Sequence, residues 1–250
     1  MSILDAYDPK GEPLISPQDF YPKQEPLCDT AVACFSLAAH EYVLSHYEHT
    51  LFYRFRATAN GVMDVYYLPT LRVYFYLSPV GAPVAAGFLQ EVAHFAGAKK
   101  FVYFGSCGTL DPNAKGKYLV PTSCYREEGF SYHYAPPSEY MDITHHGIVS
   151  SFFKKENIDY AEGKGWTTDA IYNETKAKVE ARRKEGVICV DMEASALQAI
   201  CDHLGLSFYT FFFSADVLED SWDVGDLGGD REARRQTQAA EVALKLSQSL

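Results

Sequence analysis

The sequence shows no extended stripe of basic residues and has an excess of acidic ones. It has 22 Lys and Arg against 33 Asp and Glu, which gives a formal net charge of −11. Proteins that bind nucleic acids usually carry a stripe of Lys and Arg that neutralises phosphates. The charge balance therefore argues against a nucleic-acid partner. It does not exclude a small anion, because a small anion needs only a few local donors.

Long apolar segments are also missing. The most apolar run, "LSFYTFFFSA" at 206–215, is far shorter than the roughly 20 residues that span a bilayer. The start of the chain, "MSILDAYDPKGEP", has neither the basic nor the apolar region of a signal peptide. The sequence therefore predicts a cytoplasmic protein without a membrane partner.

Paired cysteines of the CxxC type are absent as well. The cysteines, most of them in apolar surroundings, are Cys28, Cys34, Cys107, Cys124, Cys189 and Cys201. We expect them to be free, buried thiols, as is usual in the reducing cytosol.

The composition predicts one folded domain after an N-terminal arm. Hydrophobic residues make up 47% of the 250 residues, which is enough for a large core. Residues 1–30 are rich in proline and polar residues and are expected to form an extended arm. Residues 31–250 are expected to form a single α/β domain.

Strand-like and helix-like segments alternate through that domain. Short β-rich runs bounded by turn residues lie at 71–78, 100–106, 117–127, 186–192 and 207–216. Helical patterns lie at 83–98, at 193–205 and from Asp230 onwards, with Asp230 as a candidate N-cap. This alternation predicts helices around a mixed, largely buried sheet. Ligands in such folds gather at the carboxyl ends of strands.

The first strand end with unusual chemistry is Gly105-Ser106-Cys107-Gly108. Glycine lets a ligand approach the main chain, and Ser106 adds a hydroxyl donor. A tight turn after the strand is the alternative, and the spacing is not that of GxGxxG or of a P-loop. If a ligand binds here, a larger side chain at Gly105 or Gly108 should abolish activity in a protein that still folds.

Acidic residues mark two further strand ends. In "DMEAS", a carboxylate of Asp191 or Glu193 is a candidate to accept hydrogen bonds from a diol, with Met192 as an apolar wall. Compensation of the helix dipole is the alternative for this segment. Asp216, in "SAD", follows an aromatic strand that should raise its pKa, which suits a general acid. Capping of a turn in an acidic loop is the alternative for Asp216.

Taken in this order and spacing, six segments resemble the nucleoside phosphorylase family that includes hexameric purine nucleoside phosphorylases and uridine phosphorylases. They are "GAP" at 81–83, "GSCG" at 105–108, "REEGFSYHYAPP" at 126–137, "WTTDAIYNET" at 166–175, "VDMEASAL" at 190–197 and "SAD" at 214–216. The resemblance runs from about residue 70 to the C-terminus. It implies a mixed, barrel-like central sheet flanked by helices. It also implies a pentosyltransferase that cleaves a nucleoside with phosphate, giving a free base and ribose 1-phosphate.

The resemblance implies roles around the sugar and the phosphate. Ser106 would donate to phosphate, Glu193 would hold the ribose hydroxyls, and Met192 would pack against the nucleoside. His133 would contact the sugar across a subunit boundary, since these enzymes share sites between neighbours. An ordinary loop histidine is the alternative for His133. Phosphate is the co-substrate, and neither a cofactor nor a metal is implied.

Roles around the base follow in the same way. Cys107 and Gly108 would lie along the base, and Thr168 and Ile171 match the segment that packs against it. Asp216 matches the acid that protonates a purine at N7. We therefore expect Ser106, Glu193 and Asp216 to converge around one cavity. A homo-oligomer, either a dimer or a trimer of dimers, is implied by the resemblance.

Two departures concern the phosphate. The family's Gly-Asp-Pro-x-Arg loop is not found, and Tyr103 occupies the position of a second phosphate-binding arginine. A phenol cannot replace a guanidinium, and each lost charge-assisted bond costs roughly 1.5–3 kcal/mol. Candidate replacements are Arg54, Arg56 and Arg72. The alternatives are a hydrolytic nucleosidase, with water activated by Glu12, Asp19 or Glu25, and a non-catalytic nucleoside-binding protein.

The base is predicted less directly. Asp216 favours a purine, while "EGFSYHY" is closer to the uridine branch. The stretch "NETKAK" lacks the glutamine and arginine with which uridine enzymes read uracil. A purine nucleoside is therefore the favoured substrate, and the choice between ribose and deoxyribose is open.

Overall fold

Strands and helices alternate in the computed structural model, which describes residues 2–57, 61–219, 222–225 and 227–250, without the side chains of 56 and 57. The strands are β1 Thr30–Cys34, β2 Thr50–Ala57, β3 Gly61–Leu68, β4 Val73–Leu77, β5 Lys100–Thr109, β6 Tyr118–Glu127, β7 Tyr140–Asp142, β8 Tyr160–Thr168, β9 Val187–Asp191, β10 Ser207–Leu218 and β11 Trp222–Asp223. The helices are α1 Leu37–His46, α2 Ala82–Ala96, α3 Ser131–Tyr134, α4 His146–Lys155, α5 Lys176–Lys184, α6 Ala194–Leu204 and α7 Asp230–Ser247.

The strands form one mixed sheet that closes on itself. β5 pairs in parallel with β10, and β10 pairs antiparallel with β6. The ring continues through β8 and β9 and returns to β5. From β5 the sheet also extends through β1, β4 and β3 to β2. The predicted α/β fold with a mixed, barrel-like sheet flanked by helices is confirmed.

Helices cover the sheet on two sides. Alternate residues of a strand face opposite ways, so Phe101 and Tyr103 join the core beneath α2 and α6. Val102 and Phe104 join the core beneath α1, α4 and α7. Because β5 is buried on both sides, it reads in the sequence as a continuous apolar run. The cysteines are free thiols, and all except the half-buried Cys28 are buried, as expected.

Local signals located several elements well. α2 has Pro83 in its first turn and ends at Gly97, whose φ of 69° is the left-handed conformation that glycine adopts easily. α7 begins at Asp230 as predicted, but its N-cap is Gly229, so the predicted N-cap was wrong by one residue.

Residues 2–29 contain two short 3-10 turns, Ile3–Asp5 and Pro17–Asp19. The backbone N–H of Gln24 donates to the carbonyl of Phe95 over 2.8 Å, and the Tyr21 ring lies 5.0 Å from the Phe55 ring. Since Phe95 is in the last turn of α2, this segment packs against the C-terminal end of that helix.

Candidate active site

The three motifs meet where β5 has a neighbour on each edge. Gly108 lies opposite Val190 of β9 and also opposite Asp216 of β10. A Cβ atom placed on Gly108 would be 2.8 Å from Val190 Cγ1 and 3.6 Å from Asp216 Oδ1. Strand pairing therefore brings the "GSCG", "DMEAS" and "SAD" segments together, although they are far apart in the sequence. The place where Gly108 of β5 lies between Val190 and Asp216 is the strand junction.

The "GSCG" segment is not a turn. β5 continues to Thr109, so the strand end expected at residue 106 was wrong. A Cβ atom on Gly105 would lie 3.0 Å from Phe35 Cδ2, which is too close for an ordinary contact. Side chains from neighbouring strands or from their ends pack against Gly105 and Gly108 and leave no room for a larger residue at either position. Ser106 is exposed, while Cys107 is buried and its Sγ lies 3.6 Å from the carbonyl oxygen of Phe213.

Asp191 organises the start of α6. Its Oδ2 accepts from the backbone N–H groups of Glu193, over 2.8 Å, and Ala194, over 2.5 Å. Its Oδ1 accepts from Thr167 Oγ1 over 2.8 Å. Burial outweighs these bonds and raises the pKa of Asp191 to about 6. Asp191 therefore serves as the helix cap, and its neighbour Glu193 is left for other contacts.

Glu193 is a buried carboxyl group with 6% of its surface exposed. Its Oε1 accepts from the backbone N–H of Gly81 at the start of α2, over 2.6 Å. Burial and the nearby charge of Asp191 raise its pKa to about 8. Glu193 is thus protonated in most molecules at neutral pH when no ligand is bound. Met192 beside it is half-buried.

Asp216 is half-buried, and the Trp222 indole Nε1 donates to its Oδ2 over 2.6 Å. Burial is the main cause that raises the pKa of Asp216, as the aromatic strand predicted.

Sequence reasoning missed a second acid near Asp216, which is Glu174. Burial, together with the charges of Asp216 and Glu127, raises the pKa of Glu174 to about 7.

The remaining predicted site residues fall in two places. Thr168 is buried at the end of β8 and accepts from the N–H of Ala170 over 3.2 Å, while Ile171 is 52% exposed in the next turn. His133 is exposed on α3, and the adjacent Tyr134 ring lies 5.2 Å from the ring of His203, near the end of α6. At its other end, α3 is linked to the first turn of α6, because Glu128 accepts from the N–H of Ser131 and from the hydroxyl of Ser195, each over 2.9 Å.

Two cavities of about 410 Å³ open beside the strand junction. One lies at Asp216 and is lined also by Ser214, Lys115 and Arg235. The other is lined by Ser78, Val80 and neighbouring residues, next to the Gly81 N–H that binds Glu193. Asp216 lines the first cavity, but Ser106 and Glu193 line neither of the two. Neither cavity is therefore the common cavity expected for these three side chains.

The predicted phosphate region is aromatic. Phe35 follows β1, and its ring lies 5.7 Å from the ring of Tyr103. Tyr103, which replaces an expected arginine, is buried and its hydroxyl lies 2.7 Å from that of Tyr76. Ser36 caps α1 by accepting from the N–H of Ala39 over 3.2 Å.

None of the described arginine side chains proposed from the sequence reaches this region. Arg54 forms an ion pair with Asp64, with 2.7 Å between Nε and Oδ1. Arg72 lies in the turn before β4, whereas Gly81 follows the other end of that strand. The side chain of Arg56 lies outside the described residues. The proposed water-activating acids are exposed and belong to the segment that packs at the far end of α2 from Gly81; they are Glu12, Asp19 and Glu25.

Comparison with known proteins agrees with this architecture. The sequence model described as the phosphorylase superfamily matches residues 33–249. The chain belongs to the phosphorylase superfamily.

Relatives of this superfamily member include a DeoD-type purine nucleoside phosphorylase of Buchnera aphidicola, 28% identical over 132 residues, which are 50% of this chain and 55% of that protein. The chain spans about half the length of the curated relatives it matches. Among solved structures, the purine nucleoside phosphorylase of Toxoplasma gondii in complex with immucillin-H has a TM-score of 0.69 at 18% identity, covering 89% of this chain and 90% of that one. The 5′-methylthioadenosine/S-adenosyl homocysteine nucleosidase of Campylobacter jejuni has a TM-score of 0.72 at 16% identity, covering 89% and 100%. These structural likenesses show the fold.

In the described part of this phosphorylase-superfamily chain, no helix combines the length and the apolarity that a bilayer span requires. Nor do the described His, Cys, Asp and Glu side chains form a group of three or more that could hold a metal ion.

Proposed function

We propose that this chain cleaves the N-glycosidic bond of a purine nucleoside, with Asp216 as the general acid. The observation that carries the proposal is the pairing of Gly108 with both Val190 and Asp216. This pairing joins the segment predicted to lie along the base to the predicted acid, and it brings the strand that leads to Glu193 to the same point.

The chemistry fits the state of Asp216. When the C1′–N9 bond breaks, its electron pair moves onto the base and positive charge develops on the sugar. A proton delivered to N7 neutralises the departing purine. Because burial raises the pKa of Asp216, more of it stays protonated near neutral pH. Base release should therefore decline as the pH rises through this pKa.

Glu193 suits the proposed role of ribose acceptor if it ionises on binding. Hydroxyl groups donate most strongly to an ionised carboxylate. Because the pKa of Glu193 is about 8 without ligand, ribose binding at neutral pH should release a proton. Calorimetry in buffers of different ionisation enthalpy should detect a released fraction that shrinks above pH 8.

Phosphate is the nucleophile that the sequence resemblance supports. Ser106 is exposed at the strand junction and can donate its hydroxyl to an anion. In this form of the proposal, a phosphate oxygen attacks C1′, and the products are the free base and ribose 1-phosphate. The activity is then a pentosyltransferase of the nucleoside phosphorylase type.

Water is the second candidate nucleophile, and the packing of Phe35 favours it. Phe35 packs against Gly105 and lies beside the buried Tyr103. A phosphate dianion needs charge-assisted donors, whereas this wall presents aromatic rings. With water as the nucleophile, the products are the free base and free ribose.

Product analysis separates the two forms. The protein is incubated with inosine, adenosine or uridine, with and without phosphate, and base and sugar are quantified. Release that requires phosphate and yields ribose 1-phosphate supports phosphorolysis. Release of free ribose without phosphate supports hydrolysis. Faster release from uridine than from either purine nucleoside would contradict the purine assignment.

A binding-only protein would give a different result. Inosine would raise the melting temperature, and no base would be released under either condition. That outcome would overturn the proposed catalysis. A homo-oligomer and a cytoplasmic location remain predictions from the sequence.

A further inference from the structure

Asp216 is held by a short antiparallel pairing between β10 and β11. Val217 lies opposite Asp223, and Leu218 lies opposite Trp222. Lys115 pairs with Asp223 at 2.5 Å, and Asp223 also accepts from the N–H of Gly225 over 3.0 Å. These contacts fix β11 beside Asp216.

Trp222 makes an unusual contact for an exposed residue. Its side chain is 60% exposed, yet its Nε1 donates to Asp216 Oδ2 over 2.6 Å. An indole N–H only donates, so Oδ2 must be the acceptor of this bond. The other oxygen, Oδ1, is the one that a Cβ on Gly108 would approach to 3.6 Å. The two carboxyl oxygens are therefore in different environments.

We infer that Trp222 is a positioning residue for Asp216, and that its indole N–H occupies Oδ2 so that the transferable proton resides on Oδ1, facing Gly108. This inference deepens the proposed function and rests on it, because Gly108 belongs to the segment expected along the base. In the transfer, the Oδ1–H bond breaks, its electron pair stays on the carboxylate, and the proton forms an N–H bond at N7 of the leaving purine. The indole N–H then stabilises the carboxylate that remains.

The Trp222 hydrogen bond affects the titration of Asp216. A hydrogen bond to the charged form of an acid lowers its pKa, so the indole N–H offsets part of the rise that burial causes at Asp216. Charged groups near Asp216 come from several elements. The acids are Glu174, Asp223 and Glu232, and the basic groups are Lys115, which pairs with Asp223, and Arg231 and Arg235, which line the same cavity. Replacing Trp222 leaves these charges in place.

The test compares Trp222→Phe with the unaltered protein. Carbon-13 NMR of the Asp216 carboxyl group should show a pKa higher by about one pH unit in the variant, because the carboxylate loses its donor. Phe20→Leu changes another exposed aromatic side chain and should leave the titration unchanged. A benzothienylalanine at position 222, which keeps the bicyclic shape without an N–H, should reproduce the effect of Trp222→Phe.

Kinetics provide the second readout. We expect Trp222→Phe to lower kcat about tenfold with a smaller change in KM, and to move the falling limb of the pH profile to higher pH. A purely structural role would lower the rate without moving the limb. If the pKa of Asp216 is unchanged both in Trp222→Phe and in the protein with benzothienylalanine at position 222, the inference is overturned, even if the enzyme is active. Absence of turnover in the unaltered protein would instead overturn the proposed function, since the NMR titration does not depend on activity.

Discussion

Glu193→Gln should make the protein more stable at pH 7.5 and change its stability little at pH 5. The pKa of Glu193 rises from the ordinary 4.5 to about 8 in the folded protein. Between these values the folded state binds more protons than the unfolded state, so stability falls as pH rises through this window. Glutamine cannot ionise, and it keeps an oxygen that can accept from the Gly81 N–H.

The magnitude follows from the size of the pKa change. At about 1.4 kcal/mol for each pKa unit, the rise in the pKa of Glu193 from 4.5 to about 8 lowers the free energy of unfolding by about 5 kcal/mol above pH 8. At pH 7.5 the ionisation of Glu193 is incomplete, and water partly reaches the ionised group. We therefore expect Glu193→Gln to raise the free energy of unfolding by about 2 kcal/mol at this pH. For a chain of this size, that is an increase of roughly 4–8 °C in melting temperature.

Differential scanning calorimetry at pH 5, 6, 7 and 8 measures this effect. The difference between Glu193→Gln and the unaltered protein should grow steadily with pH. Glu180→Gln, which changes an exposed glutamate of α5, serves as the control and should give curves that coincide with the unaltered protein. A Glu193→Gln difference that is the same at pH 5 and pH 8 would refute the reasoning, because the group would then not be buried with a raised pKa.

Three further substitutions test the strand junction. Gly108→Val should lower the free energy of unfolding by about 1–3 kcal/mol, since its Cβ meets Val190 Cγ1 at 2.8 Å; an unchanged urea midpoint would contradict the packing. Asp191→Ala should cost about 2 kcal/mol, because the N–H groups of Glu193 and Ala194 lose their acceptor, and urea denaturation that shows no loss would reject the capping role. Asp216→Asn should reduce base release at least about 100-fold without lowering the melting temperature, as measured by chromatography and calorimetry; residual activity near the original would remove Asp216 from the mechanism.

Local chemistry explains which elements could be predicted. Pro83 and Gly97 mark the ends of α2, and the apolar run of β5 reflects burial on both sides. The β2–β3 hairpin, β8 and α5 were not predicted. β8 pairs with β6 and β9, which are distant in the sequence, and α5 is almost entirely polar, so it shows no strong apolar stripe.

The site shows the same division. Motif order singled out Asp216 and Glu193 as candidates, and the aromatic strand before Asp216 correctly indicated a raised pKa of Asp216. The role of the glycines was not visible, because the side chains that crowd Gly105 and Gly108 are Phe35 and Val190, which come from other strands or their ends. Glu174 was missed because its raised pKa depends on burial and on charges brought near by folding.

By itself, the sequence determined the α/β class, the ends of α2, the family and the chemical types of the candidate residues, since these depend on composition, periodicity and motif. Only the tertiary structure decided that β5 pairs with both β9 and β10, that Phe35 packs against Gly105, and that Trp222 binds one oxygen of Asp216. The physical reason is that pairing β5 with β9, β10 and β1 brings together residues that are distant in the sequence. The Trp222 contact depends in turn on the pairing of β11 with β10.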